Sequence, residues 1–479
     1  METKQQQKQV KSTARLLAVA AATALVAASC TESYPGLDYV PDPAHVIKNT
    51  EDLSRSNTPI MVFATEQDFF TVGSRSAGAV TRGTGTFEDS TLNRPKYFNS
   101  TFNVFAFRAG TGDDGNGGQG DLTGAPDLTQ SAYSNLKADK IDSDNTSCLL
   151  DGEDYWQGAE FKFNADQSGA FEAKDGKTRY YSGTYQDVGY NFFVYHIDDF
   201  KPTEANTHRE ADAVWYDFEV DGMRDLMFGS APTLTSEVLD DTYANLHLTA
   251  KEKTNILKAN GGYSTYSGHR NLHPIVKLSH KLCRLKFYAY PAEASASRTT
   301  IDSISVVSHY KGKLTVAGRT PEAVGVEWDE SRSRELFLSE AAADTINAVT
   351  GELNPYPGRL REGGYTVEWK DEYKGKTWAK SEMTPVGSSL MLPPAANYML
   401  NIYSTYLRED GVPQKYTMHY TVFAPQVVRP DGTVTNIFDE GIVYNICIAV
   451  YGMQRIQIRV DGGQWIDGGT IVINPDEAE

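Results

Sequence analysis

The chain has 479 residues, 40% of them hydrophobic and 11% aromatic, and a formal net charge of −18 at pH 7. That length suits two or three domains, each with its own core. The acidic balance excludes nucleic acid as a partner and excludes electrostatic adhesion to anionic lipid. Tyr (27) and Phe (20) are abundant; such residues suit a half-buried pleated surface, so the composition leans toward β structure.

The amino terminus carries Lys4, Lys8, Lys11 and Arg15, then LLAVAAATALVAA at positions 16–28. A basic stretch followed by a short apolar one is an export signal. The apolar run is too short to span a bilayer, which takes about 20 such residues. It closes on Ala27-Ala28-Ser29-Cys30. Small residues before a cysteine resemble a lipoprotein signal, in which Cys30 becomes the acylated first residue. Ala27 stands where such signals usually carry Leu. An ordinary A-x-A cleavage site beside an incidental Cys30 is the alternative. Residues 30–57 are polar and Pro-bearing, as a tether should be.

From residue 58 onward, short apolar runs alternate with Gly, Asn, Asp and Pro clusters. The pattern predicts strands over 60–65, 101–107, 160–163, 189–196, 213–220 and 225–228. Further strands are expected over 275–290, 301–308, 312–316, 365–369, 388–392 and 398–406. The last fall over 415–422, 442–450, 454–460 and 470–473. In Arg455–Val460 the apolar residues Ile456, Ile458 and Val460 alternate with polar ones, the period of a strand with one buried face. Helices are expected only over 248–258 and 338–349. Many short strands with turns between them point to an all-β protein built of sandwiches. The Gly/Ser/Asn-rich run 260–273 reads as a linker. The organisation expected is therefore a signal at 1–29, a tether at 30–57, and two domains at 58–270 and 271–479.

Catalytic signatures are absent from the sequence: no G-x-S-x-G, H-E-x-x-H, P-loop or G-x-G-x-x-G occurs. His269 and His273 are four apart, but Gly268, Asn271 and Pro274 oppose the helix that would put both on one face. Asp113, Asp114, Asn116 and Asp121 offer oxygens in a Gly-rich loop, yet lack the spaced acid pattern of a calcium loop. No metal and no cofactor is expected, and no enzymatic activity. Cys283 and Cys447 each sit in an apolar run and read as buried thiols; a bridge between them needs adjacent strands. The six tryptophans read mainly as core residues.

Several stretches in order resemble the fimbrillin family of Bacteroidales pilins (Mfa-like or FimA-like). They are PIMVFA at 59–64 and FNVFAF at 102–107, KTRYYSGTYQDVGYNFFVYHID at 177–198 and DLMFGS at 225–230. IVKLSHKLCRLKFYA at 275–289 and YNICIAVYGMQRIQIRVDGGQWIDGG at 444–469 complete the series. The resemblance implies two transthyretin-like β-sandwiches in a structural, anchor or accessory subunit of a surface pilus. It implies a lipid anchor in the outer membrane, other pilin subunits as partners, and adhesion to a host or bacterial surface receptor. It also implies an assembly route. A protease cuts after an arginine past the first strand, at Arg82 or Arg75. The first strand, with Ile60, Val62 and Ala64 on one face, leaves, and a neighbour's strand takes its place. Ile471, Val472 and Ile473 are the donor-strand candidates, or else an ordinary last strand. An uncut loop suits an anchor or accessory subunit. The alternative function is a surface glycan-binding lipoprotein.

Overall fold

The computed structural model describes residues 58–66, 101–110, 125–132, 147–163, 170–181, 188–198, 200–340, 360–428, 432–452 and 456–464. Strands β1 (Val62–Glu66), β2 (Phe102–Arg108), β3 (Cys148–Leu150), β4 (Ala159–Phe163) and β5 (Ala170–Ala173) come first. They are followed by β6 (Tyr190–Ile197), β7 (Thr207–Arg209), β8 (Ala213–Glu219) and β9 (Leu226–Ser230). Short helices α1 (Ser236–Asp241), α2 (Ala250–Leu257) and α3 (Thr265–Gly268) intervene. Then come β10 (Ile275–His280), β11 (Cys283–Pro291), β12 (Thr299–His309), β13 (Lys311–Gly318), β14 (Gly325–Trp328), β15 (Ser333–Phe337) and β16 (Tyr365–Thr366). The chain continues through β17 (Thr384–Leu392), β18 (Asn397–Leu407), β19 (Pro413–Phe423), β20 (Val427–Val428) and β21 (Val434–Thr435). It finishes its described part with β22 (Ile442–Val450) and β23 (Ile456–Gln464).

The described part is nearly all β, as the sequence predicts. The helix expected over 248–258 is α2, begun by a capping box in which Thr249 and Glu252 satisfy each other's backbone N–H. Most of the second expected helix, and the strand expected at 470–473, lie outside the described residues. The run 275–290 is two strands, not one. The chain turns at Lys281 and Leu282 because β10 belongs to one sheet and β11 to another.

The first sheet closes on itself. Its order is β3-β2-β4-β5-β1-β10-β9-β6, and β6 pairs back to β2. Seven strands therefore form a ring, with β3 as an added strand on the second half of β2. Alternation along the strands sorts side chains to two sides. Phe102, Val104, Ala106, Phe192, Val194, Met227, Val276 and Leu278 join one buried cluster. Their neighbours Phe105, Phe107, Phe193, Tyr195, Leu226 and Phe228 join a second, larger one. Strand β6 is buried along its whole length, which is why it reads as a continuous apolar run.

Three further sheets surround the larger cluster: β17-β11-β22-β23, β15-β12-β18-β19 with β16 beside β12, and β14-β13-β8-β7. Strands from either side of residue 270 share two sheets, since β10 joins β9 and β13 joins β8. The linker-like run is tied to the first sheet: Tyr263 and Tyr190 exchange both backbone hydrogen bonds at 2.9 Å.

Cys148, Cys283 and Cys447 are buried free thiols. Strands β11 and β22 are neighbours, but Cys447 lies opposite Tyr288. That register sets Cys283 roughly 16 Å away along the strand at ~3.3 Å per residue, well beyond the reach of a disulfide. Burial pushes the Cys283 thiol up to about 12.

Arg209 fixes the loops beside β2. Its guanidinium donates to the carbonyls of Leu128, Tyr155 and Gln130, each at 2.6 Å, and meets Asp151 at 3.0 Å with both side chains fully buried. The Tyr155 ring covers it at 4.4 Å. Removing one partner of such a pair strands the other charge in a dry site. Arg209→Met should therefore lower unfolding stability by roughly 3–5 kcal/mol, read from the midpoint of a urea titration at constant m.

Candidate functional site: the first strand and its cradle

Strand β1 has β-branched and aromatic residues suited to a buried sheet position. Pro59 precedes it, where no ladder donor is needed. The segment enters beside residues 179–181. Ile60 N–H donates to the Arg179 carbonyl at 2.7 Å, and Tyr181 N–H donates to the Thr58 carbonyl at 3.0 Å. Val62 and Phe63 then pair antiparallel with Phe171 and Ala170 of β5. On the other edge, residues 63–66 pair in parallel with 275–278 of β10. So β1 is held on both edges, and it is the strand through which β5 and β10 become one ring.

Ile60 and Val62 are 6% and 0% exposed and point into the inner cluster with Phe102, Phe171, Tyr181 and Val276. Ala64 lies on the strand opposite Val276. Phe63, on the other face, is buried too, with its ring 6.0 Å from that of His273. Each such side chain stabilises the fold by about 1.5–3 kcal/mol on burial. Three of them together rival the whole net stability of a domain, about 5–15 kcal/mol. Loss of the segment without a replacement should therefore open the ring.

Packing at the strand's entry is close. A Cβ at Gly268 would sit 2.7 Å from Thr58 Cγ2 and 3.3 Å from the Tyr181 ring, so glycine there admits the first residues of the segment. Burial pushes the Tyr181 hydroxyl well above its ordinary value. His273 is buried, its Nδ1 without a hydrogen-bond partner, and burial pulls it down to about 4. His269 is also lowered, by burial and by the Arg270 charge.

Of the residues singled out in the sequence, Ile60, Val62 and Ala64 lie on this segment. Cys30, Arg75, Arg82, Ile471, Val472 and Ile473 lie outside the described residues, as do Asp113, Asp114, Asn116 and Asp121. Among the described residues no group of three or more His, Cys, Asp or Glu is arranged to hold a metal ion, and no helix is long and apolar enough to cross a membrane. The sequence reading missed β5 and the 179–181 edge; the alternating AFEA of β5 was the available signal.

Among solved structures, the chain is similar to a putative cell adhesion protein from Bacteroides uniformis, with 11% identity and a TM-score of 0.38, over 85% of this chain and 99% of that one. It is similar to the fimbrial anchor protein Mfa2 from Porphyromonas gingivalis, with 10% identity and a TM-score of 0.29, over 87% and 99%. It is also similar to the tip fimbrial protein Mfa3 of the same organism, with 9% identity and a TM-score of 0.30, over 85% and 99%. No family model and no curated protein matches the chain.

His273 gives the cradle a pH dependence with a definite sign. The ring is neutral in the fold, whereas the unfolded chain protonates near its ordinary 6.5. Stability is full above about 6.5 and declines as pH falls toward about 4, by on the order of 3 kcal/mol. In His273→Leu, denaturation midpoints measured from pH 7.5 to 4.5 should fall less steeply than in the parent.

Proposed function

We propose that the chain is a non-catalytic subunit of a cell-surface pilus, structural or in an anchor or accessory role, exported as a lipoprotein on Cys30. Its first strand is a removable plug. Proteolysis after Arg82 or Arg75 frees it, and a strand from another subunit enters the place it leaves. The single observation that carries this reading is the position of β1, which is paired on both edges and fills the inner core. A segment near the start of the chain thus occupies a slot whose two walls come from residues 170–173 and 275–280.

The chemistry of replacement is β-augmentation. Backbone groups of β5 and β10 that lose β1 pair with an incoming strand, and alternate side chains fill the sites of Ile60 and Val62. An incoming strand therefore needs apolar residues at every second position. Ile471 and Ile473 of GGTIVI have that spacing, with Val472 between them. The sequence resemblance to fimbrillins supports the same reading, and so does the signal ending at Cys30.

Limited tryptic digestion tests it. Chain cut at Arg82 or Arg75 should form a ladder of oligomers on unheated SDS gels, and Arg75→Ala/Arg82→Ala should form none. Trimmed protein that stays monomeric at high concentration would sink the proposal. The anchor is tested separately: Cys30→Ser should abolish labelling by radioactive palmitate and release the protein from the membrane fraction.

A further inference from the structure

The sheet β15-β12-β18-β19 ends on a strand that the proposed exchange does not use. β19 runs for 11 residues, Pro413–Phe423, and β18 pairs with all of them in unbroken register. No described strand pairs with its other side. The other sheet ends carry the features that keep strand edges from meeting. β3 and β7 are 3 residues long, β14 has 4 and β15 has 5. β17 is interrupted by Pro385 and by Gly387 at φ 61°, beside a shift in register, and β23 carries Arg459 and Asp461. β19 is long and regular, has no proline past its first residue, and holds Lys415 as its single fixed charge.

Apolar surface gathers at the two ends of the same hairpin. Every exposed large hydrophobic side chain among the described residues lies between positions 399 and 437. Leu407 and Val412 stand at the tip of the β18–β19 hairpin, Met399 and Phe423 at its base, and Phe423 is 55% exposed. Along β19 the even-numbered residues Met418, Tyr420 and Val422 pack toward the larger cluster, and the odd-numbered ones face outward. Phe423 and Met399 share that outward face as diagonal neighbours. Just past the base, Val428 lies opposite Val434 and both are exposed. Single exposed apolar residues are ordinary, whereas their confinement to one hairpin and its continuation marks an interaction surface.

We propose that β19 is the seam of a two-fold dimer of this chain, in which β19 of one copy pairs antiparallel with β19 of the other. Such an interface uses the same patch twice, so a pairing of residue i with j is repeated as j with i. Full overlap of the strand puts Pro413 opposite the partner's Phe423, Lys415 opposite the partner's Thr421, and Met418 opposite its own copy. The tip of each hairpin then lies beside the base of the other. Leu407 is opposite Pro413 within one chain, so it falls in one outward row with the partner's Phe423. Charge favours this edge over other contacts between copies. A chain carrying −18 repels its own kind, but β19 holds no acid. Full overlap also keeps the two Lys415 ammonium groups roughly 20 Å apart along the seam, at ~3.4 Å per residue.

The test uses the full chain with Cys30→Ser and Arg75→Ala/Arg82→Ala, which is neither acylated nor cut, so its outcome is independent of strand exchange. Sedimentation velocity over a concentration series should show a reversible dimer. Thr421 is exposed, so its substitutions should leave circular dichroism unchanged. Thr421→Lys faces Lys415 across the seam at both symmetric positions and should weaken dimerisation about tenfold. Thr421→Glu should tighten it by a similar factor at low salt and lose that gain at high salt. A parent chain that stays monomeric up to millimolar concentration would overturn the inference, as would a dimer on which the two Thr421 substitutions act alike. A monomer whose β19 amides resist hydrogen exchange would overturn it too, by placing a segment of the same chain on that edge.

Discussion

Closure of the first sheet is the constraint on which the rest of this structure depends. A ring of strands leaves no strand at a free edge, so each of its strands is paired on both sides. Here closure depends on the earliest strand. Without β1, β5 and β10 face each other across a gap, and the inner cluster loses the Ile60 and Val62 side chains. Strand pairing and core filling are therefore satisfied or lost together. The β1–β10 ladder spans more than 200 positions of sequence. Such a contact forms late, because its loop-closure entropy must be met before pairing gives any return.

Buried charge secures the ring next to that seam. His196 on β6 presents Nδ1 to the Thr101 carbonyl at 2.7 Å and Nε2 to Asp198 at 2.9 Å. Burial disfavours the imidazolium, but the Asp198 hydrogen bond and charge outweigh it, and the histidine is raised. Asp198 also accepts from the Asp225 backbone at 3.1 Å, and Asp225 lies 2.7 Å from His280 Nδ1. Burial raises the Asp225 carboxyl, yet the His280 charge and hydrogen bond hold it below its ordinary range. Three strands, β6, β9 and β10, are thus tied at one end by buried groups, of which Asp225 and His280 are fully removed from water. The sign at His196 opposes that at His273, whereas the lowered Asp225, like His273, loses its support as pH falls. Support from a raised histidine is full at low pH and lost as pH rises through its folded value. Acid therefore acts on the entry of β1 before it acts on this cluster.

Much of this was legible in the sequence, and the limits have physical causes. The FNVFAF and NFFVYH runs announce strands buried on both faces, as β2 and β6 are. The alternation in RIQIRV announces β23, where Ile458 and Val460 are buried. Periodicity says which face of a strand is dry; it does not say which strand lies alongside. Hence the pairing of β1 with β5 and β10 could not be read. Nor could the break between β10 and β11, where the apolar pattern runs on unchanged through a switch of sheets. Gly229 in DLMFGS shows the same limit. Its role is a close approach, since a Cβ there would meet the Lys277 carbonyl at 1.9 Å. A sequence shows that a glycine is present, and only the β9–β10 pairing shows why.

The partition into two buried clusters bears on how a first strand could be exchanged at all. A strand that contributed to every part of the core could not leave without unfolding the molecule. The described β1 segment places Ile60 and Val62 in the smaller cluster, whereas the larger one is built from β2, β6, β8, β9 and the strands after β10. Opening the ring at β1 exposes the inner cluster but removes neither side chain from the larger one. Arg209 and its buried partners also lie on β7 and its neighbouring loops, away from the seam. In the proposed exchange the larger cluster would serve as a fixed wall, and the free energy gained by refilling the slot would be set locally, by how well two alternate apolar side chains of the incoming strand match the space of Ile60 and Val62.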